Sequence, residues 1–218
     1  MAILFCFLPI IIAIIFICIK GKLKVTHTLL ALLFGLIAVL PISFLQFFLP
    51  NFEHFFSSIV LYSLIKSFIL YGLIEEMLKM VLLLPLPHKN YSVKNFLLLS
   101  FVMGLSLACF ESLVYYLDHL QTASMRGAEI LYFQIFLRIF TTDILHMVCT
   151  GLCGLFIWSI RNKTRKVSCL IWPILLHGLY DFFAGFNSNV RYFSFFVVLL
   201  AIIECRSKYL DLVKIEEN

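Results

Sequence analysis

Residues Ile59–Leu86 read IVLYSLIKSFILYGLIEEMLKMVLLLPL, a run long enough to cross a bilayer as one helix, yet with Glu75, Glu76 and Lys79 inside it. About 20 apolar residues suffice for a transmembrane helix. A charged side chain near the bilayer centre costs at least about 2.5 kcal/mol and, where it is kept, marks a pathway, a relay or an active site. Three ionisable groups so close together predict a polar site whose partners lie on other helices.

The composition points the same way. Of the 218 residues, 62% are hydrophobic and 13% charged, with mean hydropathy +1.03; an ordinary soluble domain is about 25% charged. A soluble enzyme domain of useful size is excluded. The apolar runs predict an all-α, polytopic transmembrane bundle of about seven spans, near residues 2–19, 28–49, 57–86, 95–117, 130–160, 167–186 and 190–205. The third and fifth exceed what a perpendicular helix needs, which predicts tilt or extension past the bilayer. The first lacks the basic leader and small-residue cleavage site of a secretory signal and is read as a span. No repeat, linker or strand pattern breaks the series, so 1–218 reads as a single integral membrane domain.

Orientation follows from where lysine and arginine fall. Lys20, Lys22 and Lys24 follow span one, Lys89 and Lys94 follow span three, and Arg161, Lys163, Arg165 and Lys166 follow span five; Arg206, Lys208 and Lys214 lie in the tail. The opposite side carries only Arg126 and Arg191. The N-terminus is therefore expected outside and the C-terminus in the cytoplasm, with basic loops facing anionic lipid. The formal charge of +5 is a consequence of topology, and no nucleic-acid partner is called for. The seven cysteines (6, 18, 109, 149, 153, 169 and 205) lie in spans or at their ends with no C-x-x-C pair, and read as small apolar thiols.

Setting loop charges aside leaves Lys66, Glu75, Glu76 and Lys79 in span three, Glu111 in span four, Arg138, Asp143 and His146 in span five, and His177 and Asp181 in span six. Spans three to six are thus expected to enclose one polar interior. Residues four apart share a helix face, so Glu75 neighbours Lys79, and Asp181 can orient His177. Gly72, one turn before Glu76, allows a close approach by another helix. Lys66 lies nearly half a turn round from Glu75 and is expected to snorkel outward. Arg138 reads as the structural partner of a carboxylate.

Adjacent buried carboxylates do not readily ionise together, so one can hold a proton while the other acts as a base. Such a base can take a proton from water attacking a peptide carbonyl, with His146 and His177 donating to the developing oxyanion. Alternatively, Glu76, Glu111, His146 and His177 can bind a divalent metal such as zinc that polarises the water. The residues serve either scheme. Three absences narrow the field: there is no H-E-x-x-H motif, Gly104-Leu105-Ser106-Leu107 lacks the glycine of a rhomboid-type serine site, and no G-x-G-D string occurs.

Glu75-Glu76-Met77-Leu78-Lys79 resembles the E-E-x-x-K signature of the PrsW family of intramembrane proteases. The run from Gly104 to Glu111 resembles that family's small-residue helix ending in Ala-x-x-Glu. Arg138 with His146-x-x-x-Thr150-Gly151 resembles its third block, and His177-Gly178-Leu179-Tyr180-Asp181-Phe182 its fourth. The resemblance implies kinship with type II CAAX prenyl endopeptidases and a glutamate-plus-histidine hydrolytic core over about 57–186. It implies that Glu75 and Glu76 are catalytic, that His177 is essential, and that Glu111 and His146 complete the site. It also implies a bacterial plasma-membrane protein that cuts a membrane-anchored substrate, an anti-sigma factor, on its outer side. Ser112 stands where the family pattern has asparagine. The rival reading is a proton- or ion-coupled transporter, which the lack of matching halves disfavours.

Overall fold

A computed structural model describes residues 2–20, 23–49, 52–87, 91–126 and 128–217. Among the basic residues that set the expected orientation, Lys22 and Lys89 lie outside the described residues, as do the side chains of Lys20 and Arg126; the side chain of Cys18 does so too. The chain is all-α, with no strand among the described residues: α1 (Ala2–Lys20), α2 (Val25–Phe48), α3 (Ile59–Lys66), a π-helical stretch (Ser67–Glu75), α4 (Glu76–Leu83), α5 (Val93–Arg126), α6 (Ala128–Phe140), α7 (Thr142–Arg161), α8 (Ser168–Ala184) and α9 (Phe193–Glu216). Short 3-10 turns lie at Glu53–Phe55 and Asn189–Tyr192.

Helices α5 and α7 pack along each other at the centre; α2 covers α5, and α8 and α9 lie against α7. Phe96, Leu99 and Met103 of α5 share a buried core with Leu145, Leu152 and Leu155 of α7. The backbones meet because Gly104 has no side chain: a Cβ there would lie 2.6 Å from the His146 carbonyl oxygen. The outer surface is apolar, with Leu40 67%, Phe47 82% and Phe196 66% exposed, as expected where lipid replaces water. Among the described residues, 25–48, 93–120 and 129–161 are long and apolar enough to cross a membrane, and Ile3–Ile17 and Ser168–Ala184 are shorter apolar helices.

The expected third run is one continuous helical path through α3, the π stretch and α4. Ser58 caps its start, the Ser58 hydroxyl oxygen accepting from the Leu61 N–H at 3.4 Å. The π stretch lies against α8, and the glycines on both sides let it: a Cβ at Gly72 would meet the Ile174 carbonyl oxygen at 2.5 Å, and one at Gly178 would meet Phe68 Cα at 2.9 Å.

Two runs differ from their sequence-based outline. The fifth, read as one stretch over 130–160, is two helices that part at Thr141, whose backbone leaves the helical region (φ −122°, ψ −82°). The Thr141 hydroxyl donates back to the Leu137 carbonyl at 2.9 Å, and Thr142 meets the Tyr180 hydroxyl at 2.8 Å, so both threonines divert their hydroxyls from solvent to local and cross-helix bonds. The seventh, read as 190–205, continues as α9 to Glu216. There Glu216 accepts the Val93 N–H through both carboxylate oxygens (3.1 and 3.2 Å), capping the start of α5.

Since Phe68 Cα is backbone and cannot swing aside, Gly178→Val should separate α8 from the π stretch. Overpacking of this kind costs about 1–3 kcal/mol, and equilibrium unfolding of the detergent-solubilised protein should show a loss in that range.

Candidate active site

Four helical elements converge where the sequence places its ionisable residues. Lys79, on α4, is fully buried, and its ammonium donates to Glu76 Oε1 at 2.7 Å and to His146 Nδ1 at 2.8 Å. Glu75 Oε2 lies 3.6 Å from the same ammonium. Since an ammonium only donates, His146 Nδ1 is the acceptor and Nε2 carries the ring proton. That Nε2–H points to Glu111 Oε2 at 2.7 Å.

Glu76 Oε1 also accepts from His177 Nδ1 at 2.6 Å, and the Cys153 thiol donates to Glu76 Oε2 at 3.5 Å. The orientation of His177 is therefore set mainly by Glu76 from α4. Asp181, expected from its spacing to orient the ring, approaches Nε2 at 3.2 Å, but its Oδ2 is buried without a hydrogen-bond partner. The two imidazoles stand edge to face, with centroids 4.8 Å apart.

A cavity of about 250 Å³ opens between these groups, lined by Glu75, Glu111, His146, His177 and Asp181 together with Tyr71 and the α2 residues Val39, Ile42, Ser43 and Gln46. Neither Glu76 nor Lys79 lines it. The adjacent glutamates thus part company: Glu75, closing the π stretch, faces the cavity, while Glu76, opening α4, is enclosed behind His177. Glu111 is the most open of the set, with 40% of its side chain exposed. The packing of α5 on α7 brings Glu111 within 2.7 Å of His146.

Behind Glu111 lies a supporting network. Arg138 Nη2 is 3.4 Å from Glu111 Oε1, and Arg138 Nε donates to the Ser112 hydroxyl oxygen at 3.1 Å. Ser112 in turn donates to Asp143 Oδ1 at 3.0 Å. Ser112 so provides both an acceptor and a donor at the position where asparagine was expected. Lys66 stays apart from the site, exposed, with its ammonium 5.9 Å above the Tyr62 ring.

Two participants escape a reading by charge. Gln46 of α2 donates to Glu75 Oε1 at 2.9 Å, and Cys153 supports Glu76. The only hint of the first was an amide in an otherwise apolar stretch, Phe44-Leu45-Gln46-Phe47-Phe48; the second sits among seven cysteines that spacing does not tell apart.

A divalent metal finds candidate ligands here, provided His146 releases the Nε2 proton that it gives to Glu111. Glu75, His146 and His177 are all buried and offer ligand atoms within 4.8 Å of one another, the one-carboxylate, two-histidine composition of some catalytic zinc sites. With His177 Nδ1 given to Glu76, in the manner of the outer-shell carboxylates that orient metal-ligating histidines, Nε2 is left facing Glu75 Oε2 at 3.8 Å and the unpartnered Asp181 Oδ2. Three acceptors around one point call for a proton or a cation between them.

A helical bundle with an apolar outer surface thus encloses carboxylates and imidazoles around a small cavity. Residues 24–203 match the family model of the PrsW family intramembrane metalloproteases, and the chain belongs to this family. It is an intramembrane protease by that membership, acting on membrane-protein substrate within the bilayer. No curated protein and no solved structure matches the chain.

Removing Lys79 should strand the enclosed Glu76. Lys79→Met is expected to cost about 3–5 kcal/mol, the range for breaking a buried ion pair from one side. Adding Glu76→Gln should recover about 1 kcal/mol or more, as contacting partners in a double-mutant cycle do. Equilibrium unfolding of Lys79→Met, Glu76→Gln and the double variant measures both.

Proposed function

We propose that the chain is an endopeptidase in which Glu75 is the general base. The carrying observation is that Glu75 faces the cavity while Glu76 is enclosed. Water held in the cavity gives a proton to Glu75 as its oxygen adds to the peptide carbonyl carbon. The His146 Nε2–H, now on Glu111, is placed to donate to the carbonyl oxygen as charge develops there. Glu75 then hands its proton to the leaving nitrogen as the C–N bond breaks. Glu76 and Lys79 act from behind: Glu76 fixes the His177 ring and Lys79 fixes the His146 tautomer. Arg138 holds Glu111, and Asp181 completes the cavity wall beside His177.

A divalent metal, zinc being suited to this donor set, would be held by Glu75, His146 and His177 and would supply Lewis-acid polarisation of water. Glu75 would then be a ligand and the His146 Nε2 proton would be displaced, so the base and donor roles of these two residues belong to the metal-free site.

The whole chain, 1–218, forms one membrane domain in this proposal, with about seven spans, the N-terminus outside and the C-terminus cytoplasmic. Residues 57–186 are the protease-like core. In that orientation the α2 residues that line the cavity lie in the outer half of the membrane, which supports cleavage near the outer face of a bacterial plasma membrane; the family resemblance is what suggests a membrane-anchored, anti-sigma-factor-like substrate. The transporter alternative rests on buried ionisable residues that this site already employs.

The test is cleavage of a single-span substrate library by the purified protein in liposomes. Glu75→Gln and His177→Ala should each abolish turnover while the thermal transition is retained; unchanged turnover in either would overturn the mechanism. Elemental analysis of the same preparations should show bound metal in the wild type and less in the variants if the three residues hold it. Substrate-dependent proton flux without cleavage would instead establish a carrier.

A further inference from the structure

Helix α2 lies outside the glutamate- and histidine-bearing blocks, yet it forms one wall of the cavity. Val39, Ile42, Ser43 and Gln46 line it, at the three- and four-residue steps of a single helix face. The first part of α2 is well fastened: Thr28, Ala31, Gly35, Ala38 and Ile42 are buried, and the Ser106 hydroxyl donates to the Leu32 carbonyl at 2.8 Å. Pro41 then removes one backbone donor from the helix. From Ser43 to Phe48 every residue is exposed except Gln46.

The Gln46 amide is also the one hydrogen-bond donor to the Glu75 carboxylate among the described residues, at 2.9 Å. The other two cations or rings near Glu75 stand further off, Lys79 at 3.6 Å and His177 at 3.8 Å, beyond good hydrogen-bond length. An amide is suited to holding a base. It fixes one carboxylate oxygen by a directed N–H without pairing its charge, so the other oxygen is left oriented and available.

We propose that Gln46 is a positioning residue for the peptidase reaction, its side-chain amide holding Glu75 in the geometry from which it receives the proton of water. The proposal rests on the peptidase reading and extends it to a helix that supplies none of the charged groups. Glu75 ends the π stretch with the Lys79 ammonium 3.6 Å from one carboxylate oxygen; Gln46 supplies the second point of attachment, on the other oxygen, from the α2 wall.

The experiment compares Gln46→Met, which keeps length and volume but cannot donate, and Gln46→Glu, which keeps the length and turns the donor into an acceptor. Each is assayed as the full-length protein in liposomes on the single-span peptide that the wild type cleaves best. Misplacing a catalytic group by about 1 Å costs up to about 100-fold, so kcat should fall by about 10- to 100-fold in Gln46→Met and by at least as much in Gln46→Glu. KM and the thermal transition should stay near wild type, because Gln46 is half-buried and methionine fills the same space. A merely structural glutamine would tolerate methionine. Wild-type kcat in Gln46→Met, whatever KM does, overturns the proposal. Glu75→Gln in the same assay separates the two levels: if it still cleaves, the peptidase mechanism fails, whereas if it is silent and Gln46→Met is fully active, only the role of Gln46 fails.

Discussion

The ammonium of Lys79 is the group on which the rest of the arrangement depends. It is fully enclosed, and an unpaired cation there would be costly both in a protein interior and in a membrane. Its partners are fixed by that demand: Glu76 on its own helix, and His146 on α7. Glu76 then passes the constraint to His177 on α8, and His146 passes it to Glu111 on α5. One buried charge thereby ties four elements together. The glycines fall where this network needs short distances, Gly72 and Gly178 between the π stretch and α8, and Gly104 between α5 and α7 beside His146.

The same network divides the labour of two neighbouring glutamates. Consecutive residues on a helix point about 100° apart, and although both carboxylates reach Lys79 and His177, only Glu75 lines the cavity. Here Glu76 takes the enclosed side, with two strong donors on one oxygen, and Glu75 takes the cavity side with a single amide donor. A carboxylate saturated by cationic and imidazole donors is a good anchor and a poor base; one that is lightly held is the reverse. The order of the two in sequence is thus tied to the order of their roles.

Much of this was legible in the sequence because membrane-buried charge is rare enough to be diagnostic. The all-α class followed from apolar runs, and Glu75, Glu76, Glu111, His146 and His177 stood out within a short set of ionisable residues confined to four consecutive spans. What spacing could not give was contact across helices. It paired Lys79 with Glu75 at i,i+4, whereas the shorter contact is with Glu76 at i,i+3. It assigned His177 to Asp181 on its own helix, whereas Glu76 from α4 holds the ring more closely. The π stretch and the break at Thr141 leave no mark in hydropathy, since both are settled by which neighbour a backbone or hydroxyl group finds. Gln46 is neutral, so a search by charge passed over it.

A hydrolytic site within a membrane must admit water and a peptide while remaining enclosed, and the walls of this cavity are not equally firm. At about 250 Å³ it is smaller than most sites for small molecules, which run from about 300 to 1,000 Å³. It holds water readily, but a peptide segment needs more room. The walls from α5, α7 and α8 are parts of the buried core, where displacement would open cavities and break the Lys79 network. The end of α2 from Ser43 to Phe48 has no fully buried side chain, and Pro41 precedes it. Displacing that wall would break the bond between Gln46 and Glu75. The α2 wall therefore carries both the exposed end of the enclosure and the amide that touches the base, Gln46.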